Sequence, residues 1–166
     1  MTPWTPPLDL TQLAVPPRVY PSARSPEALL DVVAQLDPAR SLRYQRRDVD
    51  GDGRPETFCN FFLRDALNAL GVKTPKLVAN ELVRYLNEAE SWVACFAAAA
   101  AERAAAGFPT VAGWANPRPR LPGHVALVVP SLEPGVRIAQ AGRVSFNDGP
   151  VTQGFGALPV LYWTHD

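Results

Sequence analysis

The chain has few of the residues from which reactive or crosslinked sites are built: two cysteines, two histidines and one methionine in 166 residues. Cys59 and Cys95 are too few for the disulfide framework of small secreted domains, and nothing in their spacing demands a bridge. Net charge is missing as well, since 16 Lys and Arg balance 16 Asp and Glu. Non-specific binding to nucleic acid needs an excess of positive charge to displace counterions, so that class is excluded. Long apolar runs are absent: the most apolar stretch, residues 92–101, falls far short of the ~20 residues of a membrane span. The first residues, MTPWTPPLDL, have neither the basic start nor the apolar stretch of a signal peptide. These absences lead us to expect a soluble protein made in the cytoplasm, with no nucleic-acid partner and no membrane span.

Proline, by contrast, is abundant, with 18 residues, about twice the usual share. Pro3, Pro6, Pro7, Pro16, Pro17 and Pro21 crowd residues 1–25, where neither a helix nor a central strand can be sustained. That segment reads as an extended arm. The remainder, residues 26–166, has the length of one domain, and with 47% hydrophobic residues the chain can fill a core.

Ser25-Pro26 forms a good helix start, Ser as N-cap and Pro at the first helical position, for a helix over 27–36. A polar stretch follows, and at Thr57, a plausible N-cap, the pattern turns helical again. Phe58, Phe62, Leu63, Ala66, Leu67 and Leu70 make a wide apolar stripe, and Gly71 suits the left-handed position after a helix. Thr74-Pro75 restarts a helix through roughly Val78 to Glu88, and Ser91 caps another to 106, where Gly107 stops the pattern. Beyond it the character changes to strands at 108–114, 124–129, 136–140 and 160–163, separated by loops rich in Pro, Gly and Asn. Helices first and strands after describe an α+β fold with an antiparallel sheet.

Cys59 falls near the start of the second helix. Free backbone N–H groups and the helix dipole favour negative charge there and would stabilise a thiolate. The plainer alternative is a core cysteine among Phe58, Phe61 and Phe62. His124 opens the strand HVALVV after Pro122-Gly123, at the sheet rim, where an imidazole can point into a cleft. Together they form the pairing of nucleophilic thiol catalysis. A third polar group usually fixes the imidazole tautomer. If 136–140 pairs antiparallel with 124–129, Gln140 returns to the end of the sheet that carries His124. Asn147 and Asp148 are weaker candidates for the same role.

The segments TFCNFFLRDALNALG, AAAGFPTVAGW, PGHVALVV and IAQAG resemble the NlpC/P60 and CHAP superfamily of papain-like cysteine hydrolases. The resemblance spans about residues 41–165. It implies a papain-like fold and action on bacterial cell-wall peptides. By that similarity Cys59 is the nucleophile, His124 the general base and Gln140 the third, polar position, where relatives more often carry Asn, Asp, Glu or His. It also implies substrate-side roles for Tyr44 and for Asn60, which directly follows the nucleophile. Trp114, ahead of His124, lines the cleft rim or is ordinary core.

Just ahead of Cys59, the run Asp48-Val-Asp50-Gly-Asp52-Gly-Arg54-Pro-Glu56 follows the first nine positions of a D-x-D-x-D-G calcium loop. Carboxylates at alternate residues let a tight turn wrap oxygens round one hard cation, with the Arg54 carbonyl as backbone ligand. The usual bidentate Glu at the last position is missing, because Cys59 occupies it. Some CHAP relatives look similar here. The alternative is an acidic surface turn. The neighbouring Arg40, Arg43, Arg46 and Arg47 read as a solvated, charge-balanced surface.

The resulting expectation is a cysteine amidase or endopeptidase that cuts peptidoglycan, acting in the cell wall or periplasm after export or lysis. It would be a phage lysin or a secreted antibacterial effector, with an immunity protein as partner in the second case. No cofactor is required for the chemistry, and a calcium ion would be structural. The alternatives are a calcium-stabilised binding module with a core cysteine, and a papain-like hydrolase acting on a protein or lipid amide or ester.

Overall fold

The computed structural model describes residues 18–20 and 24–166. The prolines that define the N-terminal arm lie outside the described residues, and the described end of the arm is fastened to the domain. The Tyr20 amide donates to the Ala69 carbonyl at 2.6 Å, and Arg24 donates to the carbonyls of Leu70 and Asp166.

Ser25 caps α1 (Pro26–Leu36) by accepting the Ala28 amide at 3.0 Å, as the Ser-Pro start predicts. The apolar stripe of the second helix becomes α2 (Cys59–Ala69), with Phe62, Leu63, Ala66 and Leu67 fully buried. Gly71 takes the left-handed φ of +79°. The helix starts later than the N-cap reading expects. Phe58 is the capping residue, it makes no side-chain cap, and Cys59 is the first helical residue. Thr57 is therefore not an N-cap.

The third helix is α3 (Ala79–Glu88), within a residue of the expected 78–88. One further helix expectation needs correction. The residues 91–106 expected as one helix divide into a strand, β1 (Trp92–Cys95), and a helix, α4 (Ala97–Ala105). Alanine is the best helix former and holds α4, whereas Trp, Val and Cys have weaker helix propensity. Given a partner strand, those four residues pair along it instead, with Trp92 opposite His165 and Cys95 opposite Tyr162.

The strands β2 (Thr110–Trp114), β3 (His124–Val129), β4 (Arg137–Gln140), β5 (Phe146–Pro150) and β6 (Leu161–His165) join β1 in a six-stranded sheet of order β1-β6-β2-β3-β4-β5. Every neighbouring pair is antiparallel. The structure is thus a mixed helical and antiparallel-sheet protein, an α+β fold. A one-turn helix, α5 (Val151–Phe155), links β5 to β6. Neither β5 nor α5 is visible in the sequence, because FNDGPVTQGF has too little apolar periodicity to show either period.

Helices cover both faces of the sheet. On one face α1, α2 and α3 pack over Val111, Val125, Leu127, Val129 and Trp163. On the other α4 and Phe155 pack over Ala112, Ala126, Val128, Ile138 and Tyr162. Successive residues of β3 therefore point into two separate apolar clusters. That explains why HVALVV reads as an unbroken apolar run: alternation appears only where one face of a strand meets water. Among the described residues no helix is long and apolar enough to cross a membrane.

Candidate active site

The first turn of α2 packs against β3, where the backbone N–H of Val125 favours negative charge on the Cys59 sulfur. Val125 directly follows His124, but successive side chains of β3 point to opposite faces: the His124 ring packs on Phe155 and meets Gln140, and no hydrogen bond joins it to Cys59. The backbone N–H groups of Cys59 and Asn60 and the Thr57 hydroxyl also lie where they favour negative charge on that sulfur. These are the unpaired donors at a helix start, and they favour the thiolate. Burial opposes them and prevails. Cys59 is only 3% exposed, and loss of hydration pushes its thiol up despite the four donors. The low-pKa thiolate expected from the helix start alone is therefore not the resting state.

His124 is held by a complete chain of polar contacts. One ring nitrogen, Nε2, lies 2.7 Å from Gln140 Oε1. Gln140 is 2% exposed, and its Nε2 donates to the Val144 carbonyl at 2.8 Å. The Val144 carbonyl can only accept, so the amide NH2 must face it and the amide oxygen must face the histidine. That oxygen in turn requires a proton on His124 Nε2. The neutral imidazole then carries its lone pair on Nδ1, free to take a proton. Burial pulls the His124 pKa below its ordinary value, and the Gln140 contact only partly restores it. Burial thus favours the neutral form of both the thiol and the imidazole.

The hairpin arithmetic of the sequence holds in the structure. β3 and β4 pair antiparallel with Leu127 opposite Ala139 and Val129 opposite Arg137, which returns Gln140 to the end that carries His124. A further residue escaped sequence reasoning. Phe155 of α5, 2% exposed, lies with its ring centroid 4.7 Å from that of His124. It is flanked by Gly154, where a β-carbon would come within 2.2 Å of Gln140 Oε1. The bare glycine lets α5 close over the histidine–glutamine contact and shield it from water. No sequence signal marks this lid, since α5 is too short to show periodicity.

The other candidates are more scattered. Asn60 donates from Nδ2 to the Leu77 carbonyl at 2.9 Å and so ties the first turn of α2 to the segment before α3. Trp114 is half-buried and lies opposite His124 across the β2–β3 pair. Tyr44 is a core residue, 1% exposed, edge-on to Phe62 with its hydroxyl on Asp65 at 2.8 Å. It offers no surface to a substrate. Arg43 meets the same carboxylate at 2.7 Å. Asn147 bonds to Asp37 and to the Ala39 amide, and Asp148 pairs with Arg137, which leaves the third polar position to Gln140. Both cysteines are free thiols.

In the acidic loop, one carboxylate oxygen from each of Asp48, Asp50, Asp52 and Glu56 lies within 4.8 Å of the others. The set is all hard oxygen, and Gly51 and Gly53 turn the chain with φ near +80°. Asp48 accepts the amides of Gly51 and Gly53, Asp52 accepts that of Arg54, and Glu56 accepts that of Val49. The loop is closed by a bridge between Arg47 and Glu56, and the Arg47 guanidinium stacks 3.9 Å over the Phe58 ring. It is thereby anchored directly ahead of Cys59. These residues fit a hard cation.

Among known proteins, no family model and no curated relative matches this chain.

Proposed function

We propose that the protein is a papain-like thiol hydrolase of the NlpC/P60 and CHAP kind, cleaving an amide bond in peptidoglycan. The observation that carries the reading is the 2.7 Å contact of His124 Nε2 with Gln140 Oε1. Its polarity is fixed by the Val144 carbonyl, and it sits at the strand end against which the Cys59 helix start packs.

In this mechanism His124 Nδ1 takes the Cys59 proton as the sulfur attacks an amide carbonyl. The negative charge that develops on the carbonyl oxygen is met by backbone N–H groups at the start of α2. The imidazolium, held by Gln140, then protonates the leaving amine. Water deprotonated by the same imidazole releases the acyl group from sulfur and restores the thiol. Because burial favours the neutral form of both groups, proton transfer accompanies attack rather than preceding it.

The cell wall is the substrate by resemblance, and delivery is as a phage lysin or as an exported effector with an immunity protein as partner. The acidic loop binds calcium as a structural ion, outside the chemistry. Loss of cell-wall lysis in Cys59→Ala and in His124→Ala, with unchanged circular dichroism, is the expected result. Lysis by pure Cys59→Ala protein would end the proposal. The burial and raised pKa of Cys59 favour a second reading, a calcium-stabilised binding module with a core cysteine, which predicts no turnover at all. Mass spectrometry of digested peptidoglycan separates these readings, and also separates both from a hydrolase of protein or lipid substrates.

A further inference from the structure

Between α3 and residues 115–123 lies a cleft of about 810 Å3, within the size range of sites that take small ligands and short peptides. Each of its walls is one residue along the chain from a segment of the candidate site. On one side the cleft ends at Gly123, the residue before His124. On the other it begins at Val78, directly after the Leu77 carbonyl that holds Asn60 beside Cys59.

The walls are fixed to one another by a single side chain. Asn80 Oδ1 accepts the Asn116 amide at 2.8 Å, and its Nδ2 donates to the Leu121 carbonyl at 2.9 Å. Gly123 allows this closeness, since a β-carbon there would come within 2.3 Å of Asn80 Oδ1. Pro117, Pro119 and Pro122 stiffen the opposing loop, so little chain entropy is lost when a ligand settles against it.

The charge in the cleft is the informative feature. Arg84 from α3 and Arg120 from the loop both line it, and neither has a carboxylate partner among the described residues. The cleft's one acidic group, Glu81, is turned onto the Val78 amide at 3.4 Å. Arg120 is also held at a φ of +72°, in the left-handed region that a branched or bulky residue seldom adopts. Conformations of that kind persist where the surrounding structure enforces them, and they gather at binding sites.

We infer that this cleft is a subsite for an anionic peptide, whose carboxylate is held between the guanidinium groups of Arg84 and Arg120. A guanidinium matches a carboxylate with two parallel hydrogen bonds, which selects for that group as well as binding it. Under the proposed function, on which this inference rests, the occupant is the stem peptide of peptidoglycan. Its free carboxylates would set the register of the scissile bond at Cys59.

The test uses calorimetric titration of the full chain carrying Cys59→Ala, with a soluble disaccharide–tetrapeptide as probe. Arg84→Gln and Arg120→Gln should each weaken binding by about tenfold, and amidating the probe's carboxylates should do the same. Added salt should weaken binding in the parent and much less in the double variant. Arg118→Gln, in the same loop but not lining the cleft, should bind as the parent does. Unchanged affinity in the Arg84→Gln, Arg120→Gln double variant would overturn the inference, even if the wild type degrades cell wall. Arginine-dependent binding without turnover by the wild type would instead remove the hydrolase reading and leave the subsite standing. Tighter binding of a linear all-L acidic peptide would overturn the cell-wall source of the ligand.

Discussion

Cys59 and the acidic loop just ahead of it are close in sequence and opposite in surroundings. Around the half-buried His124 and the buried Gln140 the polar partners are specified one by one: Gln140 for the imidazole, Val144 for the glutamine. In the loop the carboxylates of Asp48, Asp50 and Asp52 are exposed, and their hydrogen bonds go to their own neighbouring amides. A buried polar group without a partner is costly, so a buried network carries information about what it is arranged to do. An exposed group has water as an alternative partner, and its arrangement is correspondingly less constrained. The first region therefore fixes the histidine's tautomer by its geometry. The second argues only for a local turn that has room for a cation.

The comparison can be broken most forcefully at its buried side. Phe155→Ala should cost about 3–5 kcal/mol, as expected for emptying a large apolar site. It should also admit water to the His124–Gln140 contact, so that activity falls further than the folded fraction does. Thermal melts and lysis assays on one preparation check both parts. Activity that simply tracks the folded fraction would show that the ring is packing and nothing more.

The exposed side predicts a smaller effect. With calcium at about 100 times its dissociation constant, binding by the folded loop alone adds about 2.7 kcal/mol, which chelation should remove. Asp50→Asn should reproduce the lowered melting temperature in calcium and be insensitive to chelator. Equal melting curves with calcium and with excess chelator would reduce the loop to an acidic turn and leave the thiol site untouched.

The smallest effect sharpens the contrast by titration. Burial lowers the His124 pKa, so its contribution to stability is present above the unfolded value of ~6.5 and is lost as pH falls through the lower folded value. Burial raises the Cys59 pKa, so its contribution is present below the ordinary thiol value of ~8.5 and is lost as pH rises through the higher folded value. Melting temperature should therefore be highest between these limits. His124→Asn should flatten the acid side of the profile, and Cys59→Ala the alkaline side. A wild-type optimum outside that interval, with no change in either variant, would contradict the neutral thiol and imidazole. Alkylation of Cys59 by iodoacetamide should likewise keep rising above the usual thiol range rather than level off below it.

Legibility in the sequence followed the length and regularity of each signal. The Ser25-Pro26 start of α1, the stripe of α2 and the strand HVALVV were readable because several residues repeat one period or one cap chemistry. Gln140 was readable because a short hairpin fixes which end of the sheet it returns to. Trp92–Cys95 reads as helix from sequence because four residues beside an alanine run carry no period of their own, and only β6 decides their conformation. Tyr44 was placed near the substrate by resemblance, whereas Asp65 and Phe62 draw it into the core.

By itself the sequence determined the α+β class, the presence of a cysteine at a helix start, a histidine at a strand start and a glutamine one hairpin away. These are local facts, set by caps, turns and periodicity between near neighbours. The lid of Phe155 and Gly154, the cleft between Arg84 and Arg120, and the neutral state of the thiol and imidazole were decided only by tertiary structure. Each depends on which distant segments come to lie against one another, and on how much water that contact excludes.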